Sequence, residues 1–214
     1  SEHLLSRIET GEILSSNKNV QTIWLRAGVI IGSGSASFEI IRNLTEKLPI
    51  MTTPKWVNTK AQPIAVTDVL SYLHKSLYLD VKENLIVDIG SEQLSYKNMM
   101  LKTAKVLGLK RILITLPFIS INLSSYWLNL FTPVPYAVAK ALVEGLKSEV
   151  IIQNDHAKKY FPNIIPISYE DAVANAIKEI EENQVLSRWN DKSDDVWEKN
   201  SQNEISKAIF IDRK

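Results

Sequence analysis

His3 and Arg7, in the run EHLLSRIETGEILS, are spaced to share one face of a helix. An imidazole exchanges protons near neutral pH, and a guanidinium one turn behind it favours the neutral ring. The run TIWLRAGVIIGSGSASF at 22–38 offers a second kind of chemistry. Backbone amides after Gly32 and Gly34, with Ser33 between them, are placed to meet an anion, or else they form a tight turn into a helix. Arg26 falls mid-strand, where a charge must be paired or must reach the strand end. Asp68 or Glu39 is the expected partner, with ligand contact as the alternative. Lys55, Trp56 and Gln62 lie in an irregular stretch that overhangs a pocket or packs on its own core. Tyr126 and Trp127 are either pocket contacts or core. His74 and His156 have no second ligand at metal spacing, so no metal site is expected. No Ser–His–Asp arrangement or paired carboxylates stand out.

The elements that must position these residues alternate strand and helix. Residues 2–15 predict an amphipathic helix with Leu4, Ile8 and Leu14 near one face. Residues 21–31 are apolar on both faces, as in a central parallel strand. Ser35 or Ser37 caps the next helix, which spaces Phe38, Ile41, Leu44 and Leu48 at helical intervals. After the short strand 64–66, Thr67 caps a helix with Val69, Leu70, Leu73 and Leu77 inward. Residues 84–89 read as another strand, and Ser95 caps a helix stopped at Gly108. A strand at 111–116 ends at Pro117. The 118–150 region is irregularly helical, and Ser168 with Asp171 caps a last helix. Residues 187–207 are polar and linker-like, and 208–212 are strand-like.

Composition narrows the function classes. The 214 residues carry 25 basic and 24 acidic side chains, a net charge of +1 that offers no field for nucleic acid or an anionic membrane. The apolar stretch 112–131 is too interrupted to span a bilayer. There is no cysteine, which rules out disulfides and zinc–thiolate sites and accords with a cytoplasmic setting. No Gly-x-Gly-x-x-Gly stands between a strand and a helix.

Three segments, TIWLRAGVIIGSGSASFEIIRNLTEKLP, QPIAVTDVLSYL and NLIVDIGSEQLSYKNMM, together resemble the C-terminal part of extended and atypical short-chain dehydrogenase/reductases. More narrowly, they are similar to bacterial nucleoside-diphosphate-sugar epimerases and NAD(P)H-binding oxidoreductases, over about residues 2–183. The resemblance implies an α/β fold: the late strands of a partial NAD(P)-binding Rossmann-like sheet, with a mostly helical substrate-binding lobe. Residues 1–90 would belong to the sheet domain, with a lobe insertion at 36–57. Residues 91–183 would be mainly lobe, and 184–214 a linker toward a further domain.

On that resemblance Arg26, Gly28, Gly32, Ser33 and Gly34 lie by the cofactor, and Ser37, Lys55, Trp56, Gln62, Tyr126 and Trp127 by a small-molecule substrate. His3 and Arg7 stand where the family has its catalytic Tyr-x-x-x-Lys. His3 would then be the proton donor or acceptor, with Arg7 orienting a ribose or phosphate. The expected whole is an NAD- or NADP-dependent epimerase or reductase whose glycine-rich half precedes these residues, so none of the cofactor is expected on this piece alone. A homo-oligomer, or association with an N-terminal fragment, is expected. The rival reading is a non-catalytic binding or assembly module, favoured by loss of both the tyrosine and the lysine.

Overall fold

The computed structural model describes residues 2–116, 133, 134 and 136–182. The readings placed on Tyr126 and Trp127, on 187–207 and on the 208–212 strand lie outside the described residues, as does the side chain of His3. In chain order the elements are α1 (Glu2–Ser15), β1 (Ile23–Ala27), β2 (Ile30–Ile31), α2 (Ala36–Lys47), β3 (Ile50–Pro54), a 3-10 turn (Lys55–Asn58), β4 (Lys60–Ala61), β5 (Ile64–Ala65) and α3 (Val66–Ser76). Then follow β6 (Leu85–Ile89), β7 (Leu94–Ser95), α4 (Tyr96–Val106), β8 (Ile112–Leu116), α5 (Tyr136–Gly145), α6 (His156–Tyr160) and α7 (Tyr169–Glu181).

The apolar run 21–31 makes two strands, not one. The break at Gly28 and Val29 lets β1 pair in parallel with β6, Ile23 beside Leu85 through Ala27 beside Ile89, while β2 pairs with β5. Two further pairs are β3–β8, parallel, and β4–β7, antiparallel. The irregular stretch expected to carry Lys55 and Trp56 follows a full strand, and Pro54 falls at the end of β3, where a missing N–H costs least.

Two apolar clusters organise the packing. The β1–β6 pair turns Leu85, Val87 and Ile89 toward Ile64, Tyr72 and Phe161, with the last two rings edge-to-face at 5.3 Å. The second cluster gathers Phe38, Ile41 and Leu44 of α2, Met99 and Met100 of α4, Val143 of α5 and Tyr169 and Val173 of α7 into a helical lobe.

α1 lies against β1 through Gly11, where a methyl group would run into the Trp24 ring. Asn84 fastens that corner, accepting from the Thr22 N–H and donating to the Ser15 carbonyl. The expected apolar face of α1 is not buried: Ile8 and Leu14 are exposed. Among the described residues β1 has a strand neighbour on one edge only.

Two helix readings need correction. α3 begins at Val66, so Thr67 sits in its first turn and the N-cap position is Ala65, which has no capping side chain. Its inner face is Asp68, Val69 and Tyr72, whereas Leu70, Leu73 and Leu77 are exposed. The leucines were grouped by hydrophobicity, but the buried Asp68 fixes the helix rotation by accepting the Ile167 N–H at 3.0 Å. Ser35 holds the N-cap position of α2, yet its hydroxyl donates to the Ile30 carbonyl instead of capping. The Ser95 and Ser168 caps are present, accepting from the Asn98 and Asp171 N–H groups, and Gly108 ends α4 at φ +67°.

Candidate functional site

Ligands of open α/β sheets gather at the carboxyl ends of the strands. Here β1 runs into Gly28 and β6 into Gly90, and the Gln62 backbone crosses both. A Cβ on Gly28 would stand 3.0 Å from the Gln62 carbonyl and 3.2 Å from Val150; one on Gly90 would stand 2.9 Å from the Gln62 Cβ. The Gln62 amide is used at both ends: Nε2 donates to the Ser91 carbonyl at 3.0 Å and Oε1 accepts the Ile152 N–H at 2.7 Å. Pro63 adds its carbonyl, which accepts both the N–H and the hydroxyl of Ser91. Residues 149–154 are thereby drawn across the strand ends.

Arg26 is neighbour to Asp88 in the parallel register, and its Nε donates to Asp88 Oδ1 at 2.6 Å. Neither expected partner is used: Asp68 serves Ile167, and Glu39 pairs with Arg42 on its own helix. The cause is register, since β1–β6 pairing places the two side chains side by side on one sheet face. Asp88 is a buried strand carboxylate that also accepts the Gln153 N–H at 2.8 Å. Asn154 accepts the Asp88 N–H, and the His156 ring meets the Ile86 carbonyl, so residues 154–156 line the outer edge of β6. The Arg26 side chain is 41% exposed, and its terminal nitrogens hold no hydrogen bond among the described residues. It is the cation on this ledge able to face an anion.

The Gly32–Ser35 loop is occupied by the chain itself. Ser33 donates to Glu179 Oε2 of α7 at 2.5 Å, and a Cβ on Gly32 would meet Val66 at 2.7 Å. Gly34 takes φ +79°, a left-handed conformation that glycine adopts without strain. The hollow bordered by Gly32, Thr67, Asn175 and Glu179 is about 10 Å³, room for one water, far short of a small-molecule pocket.

The remaining candidates fall elsewhere. Ser37 is in the first turn of α2 and half-buried, and Lys55 is exposed on the 3-10 turn. Trp56 packs on the lobe cluster, edge-to-face with Tyr96 at 6.4 Å, and its buried indole N–H has no acceptor among the described residues. Burial pushes the Tyr96 hydroxyl up to about 12, so it stays a neutral phenol at physiological pH. Arg7 is exposed on α1. The structure thus joins Arg26, Gly28 and Gln62 on one ledge, with Gly32, Ser33 and Gly34 at the end of the β2–β5 pair. Among the described residues no three acidic or histidine side chains cluster as a metal site would require.

Behind the lobe, Lys102 bridges Glu92 and Glu170, the latter at 2.7 Å. The hydrogen bond from Lys102, first among several causes, holds Glu170 below its ordinary value of 4.5. The folded-state value lies below the unfolded one. Its stabilisation is therefore full above the unfolded value and is lost as pH falls through the folded one. Lys102→Met is expected to cost about 1 kcal/mol near pH 7, since the cluster is partly exposed. The gap between wild type and variant in urea melts should narrow as pH falls below the ordinary glutamate range. A gap constant with pH would show that the lysine stem, and not its charge, does the stabilising.

No family model matches the chain, and no curated protein matches it. Solved structures do. The protein gox2253 superposes with a TM-score of 0.56 at 17% identity, over 84% of this chain and 55% of that one. UDP-glucose 4-epimerase of Thermotoga maritima, solved with UDP-glucose, gives 0.54 at 12% identity, over 85% and 52%. UDP-glucuronic acid 4-epimerase of Bacillus cereus, solved with UDP-glucuronic acid and NAD, gives 0.52 at 15%, over 84% and 51%. At such identities the likeness establishes the fold: a Rossmann-like α/β arrangement of parallel strands with a helical lobe. The chain spans about half the length of these structures.

Proposed function

We propose that these residues supply the late strands and the substrate lobe of an NAD(P)-dependent nucleoside-diphosphate-sugar epimerase or related reductase. The observation that carries this reading is the edge of β1. β1 and β6 are parallel strands joined through α3, yet β1 lacks a neighbour on its other side among the described residues. An exposed strand edge is a template for another strand. A dinucleotide-binding half supplied by other residues, or a second copy of this chain, would pair there and cover the exposed face of α1.

In the completed site His3 exchanges the proton, Arg7 orients the ribose or phosphate, and the cofactor carries the hydride. Arg26, Gly28 and the loop Gly32–Gly34 face the cofactor; Ser37, Lys55, Trp56, Gln62, Tyr126 and Trp127 belong to the substrate side. Residues 1–90 without 36–57 form the sheet part, 91–183 the lobe and 184–214 the linker, in a cytoplasmic protein.

The test has two arms. Calorimetric titration of the 214 residues with NAD or NADP is expected to give no binding tighter than about 10 μM, because a nicotinamide contact alone does not offset fixing a dinucleotide. In the protein that includes the glycine-rich half, His3→Ala is expected to lower turnover at least about a hundredfold, the usual worth of a general acid–base group. His74→Ala should leave turnover within about threefold. Tight binding by the 214 residues, or an active His3 variant, removes the assignment.

A second reading, the non-catalytic module, draws on the internal contacts of the ledge. Gln62, Ser33 and the Arg26 Nε are already engaged by the chain. It gains ground if the His3 change leaves turnover untouched.

A further inference from the structure

The whole-chain balance of 25 basic and 24 acidic residues conceals a division of charge. Residues 47–67 hold three lysines, residues 93–143 hold five lysines and an arginine, and neither stretch contains an aspartate or glutamate. The two stretches meet in one sheet, where β3 and β8 pair with Ile50 beside Ile112, Thr52 beside Ile114 and Pro54 beside Leu116. Paired residues leave a sheet on the same face. The opposite face buries Met51 and Thr53, whereas Ile50, Ile112, Ile114 and Leu116 are 56, 60, 47 and 40% exposed.

Ile112, Ile114 and Leu116 alternate along β8 and Ile50 lies beside Ile112, an exposed apolar row interrupted on β3 by the exposed Thr52 and the buried Pro54; such a row on a folded protein marks an interaction site. Lys110 precedes β8 by two residues and Lys55 directly follows β3. Both are exposed, and neither has a charged partner among the described residues. By contrast Lys102 is engaged by Glu92 and Glu170, and Arg111 by the Thr45 and Glu46 carbonyls.

We propose that this β3–β8 face docks on a membrane surface rich in anionic phospholipid. Its aliphatic side chains would enter the headgroup boundary while Lys55 and Lys110 meet the phosphates at either end of the strands. Charge decides against a second copy as the occupant. Joining two such faces would bring lysines together with no carboxylate in either stretch to offset them, whereas an anionic surface supplies the missing sign. Among the described residues no helix is long and apolar enough to cross a membrane, so the contact is peripheral. The inference rests on the lobe, and of its two lysines only Lys110 lies outside the proposed substrate side.

Vesicle flotation of the full chain tests it. Vesicles of phosphatidylcholine with about 30% phosphatidylserine should bind at about 0.05 M salt, at least about tenfold better than phosphatidylcholine alone, and should release the chain at about 0.5 M. Ile112→Ser with Ile114→Ser should cut binding at least about fivefold, and Lys55→Glu with Lys110→Glu should do the same. These are exposed positions, and an unchanged circular dichroism spectrum would show that the fold is kept. Equal binding to both lipid mixtures, or variants that bind like wild type, would overturn the proposal. So would a dimer by light scattering that Ile114→Asp turns into a monomer, which would assign the face to a second copy.

Discussion

Arg26→Leu is expected to cost about 3 kcal/mol, more than any change to its partner, because it strands a buried carboxylate. Asp88 is 5% exposed, with Arg26 Nε at 2.6 Å and the Gln153 N–H at 2.8 Å as its donors. Removing the guanidinium leaves one backbone donor for a full negative charge. Asp88→Asn should cost only about 1 kcal/mol: the amide oxygen still accepts from Gln153, and Arg26, 41% exposed, turns to water. The double variant should cost about 2 kcal/mol where independent changes would cost about 4, a coupling of about 2 kcal/mol in a double-mutant cycle. Urea melts read all three as midpoint shifts at constant slope. A cost below about 0.5 kcal/mol for Arg26→Leu would reduce the pair to a solvated surface bridge and return Arg26 wholly to ligand duty.

That pair also marks where sequence reading reaches its limit. A charge in the middle of an apolar run signals a partner, and the run itself signals a parallel strand; both statements hold for Arg26 and β1, although β1 is half-buried where a covered central strand is expected. The partner's identity depends on which residue 62 positions away falls beside it, and register is set by packing across the whole sheet. Local punctuation is read more safely. Ser95, Ser168 and Gly108 act on atoms three or four residues away and cap or stop their helices as read, whereas Ser35, of the same type and at an N-cap, turns to the Ile30 carbonyl. α3 shows the converse: Leu70, Leu73 and Leu77 have inward spacing, but a single buried contact between Asp68 and Ile167 outweighs them.

The site follows the same division. The Gly/Ser loop is where the sequence puts it, between a strand and a helix. Its closure by Glu179, 146 residues from Ser33, had no local signal. Gln62 stands out in the sequence only as part of a stretch that overhangs a pocket; its bracing of Ser91 and Ile152 joins segments far along the chain.

Gly90→Ala is expected to cost about 3 kcal/mol, the upper range for overpacking, because its new methyl would stand 2.9 Å from Gln62 Cβ and 3.0 Å from the Gln62 carbonyl. Main chain cannot swing aside as a side-chain tip can, and Gln62 is anchored at its N–H, both amide ends and the following proline carbonyl. Gly28→Ala meets that carbonyl at 3.0 Å too, but its other neighbour is a valine methyl at 3.2 Å that can shift, so about 2 kcal/mol is expected. Gly108→Ala provides the reference: nothing stands within 4 Å, and the cost is the left-handed backbone alone, about 1 kcal/mol. The order Gly90, Gly28, Gly108 in urea midpoints separates steric from conformational need. For Gly28 it also separates two roles. A glycine kept only so that a cofactor can approach would tolerate alanine in the unliganded chain with no loss of stability. One kept for the crossing of Gln62 would not, and the contact distances place Gly28 with the second kind.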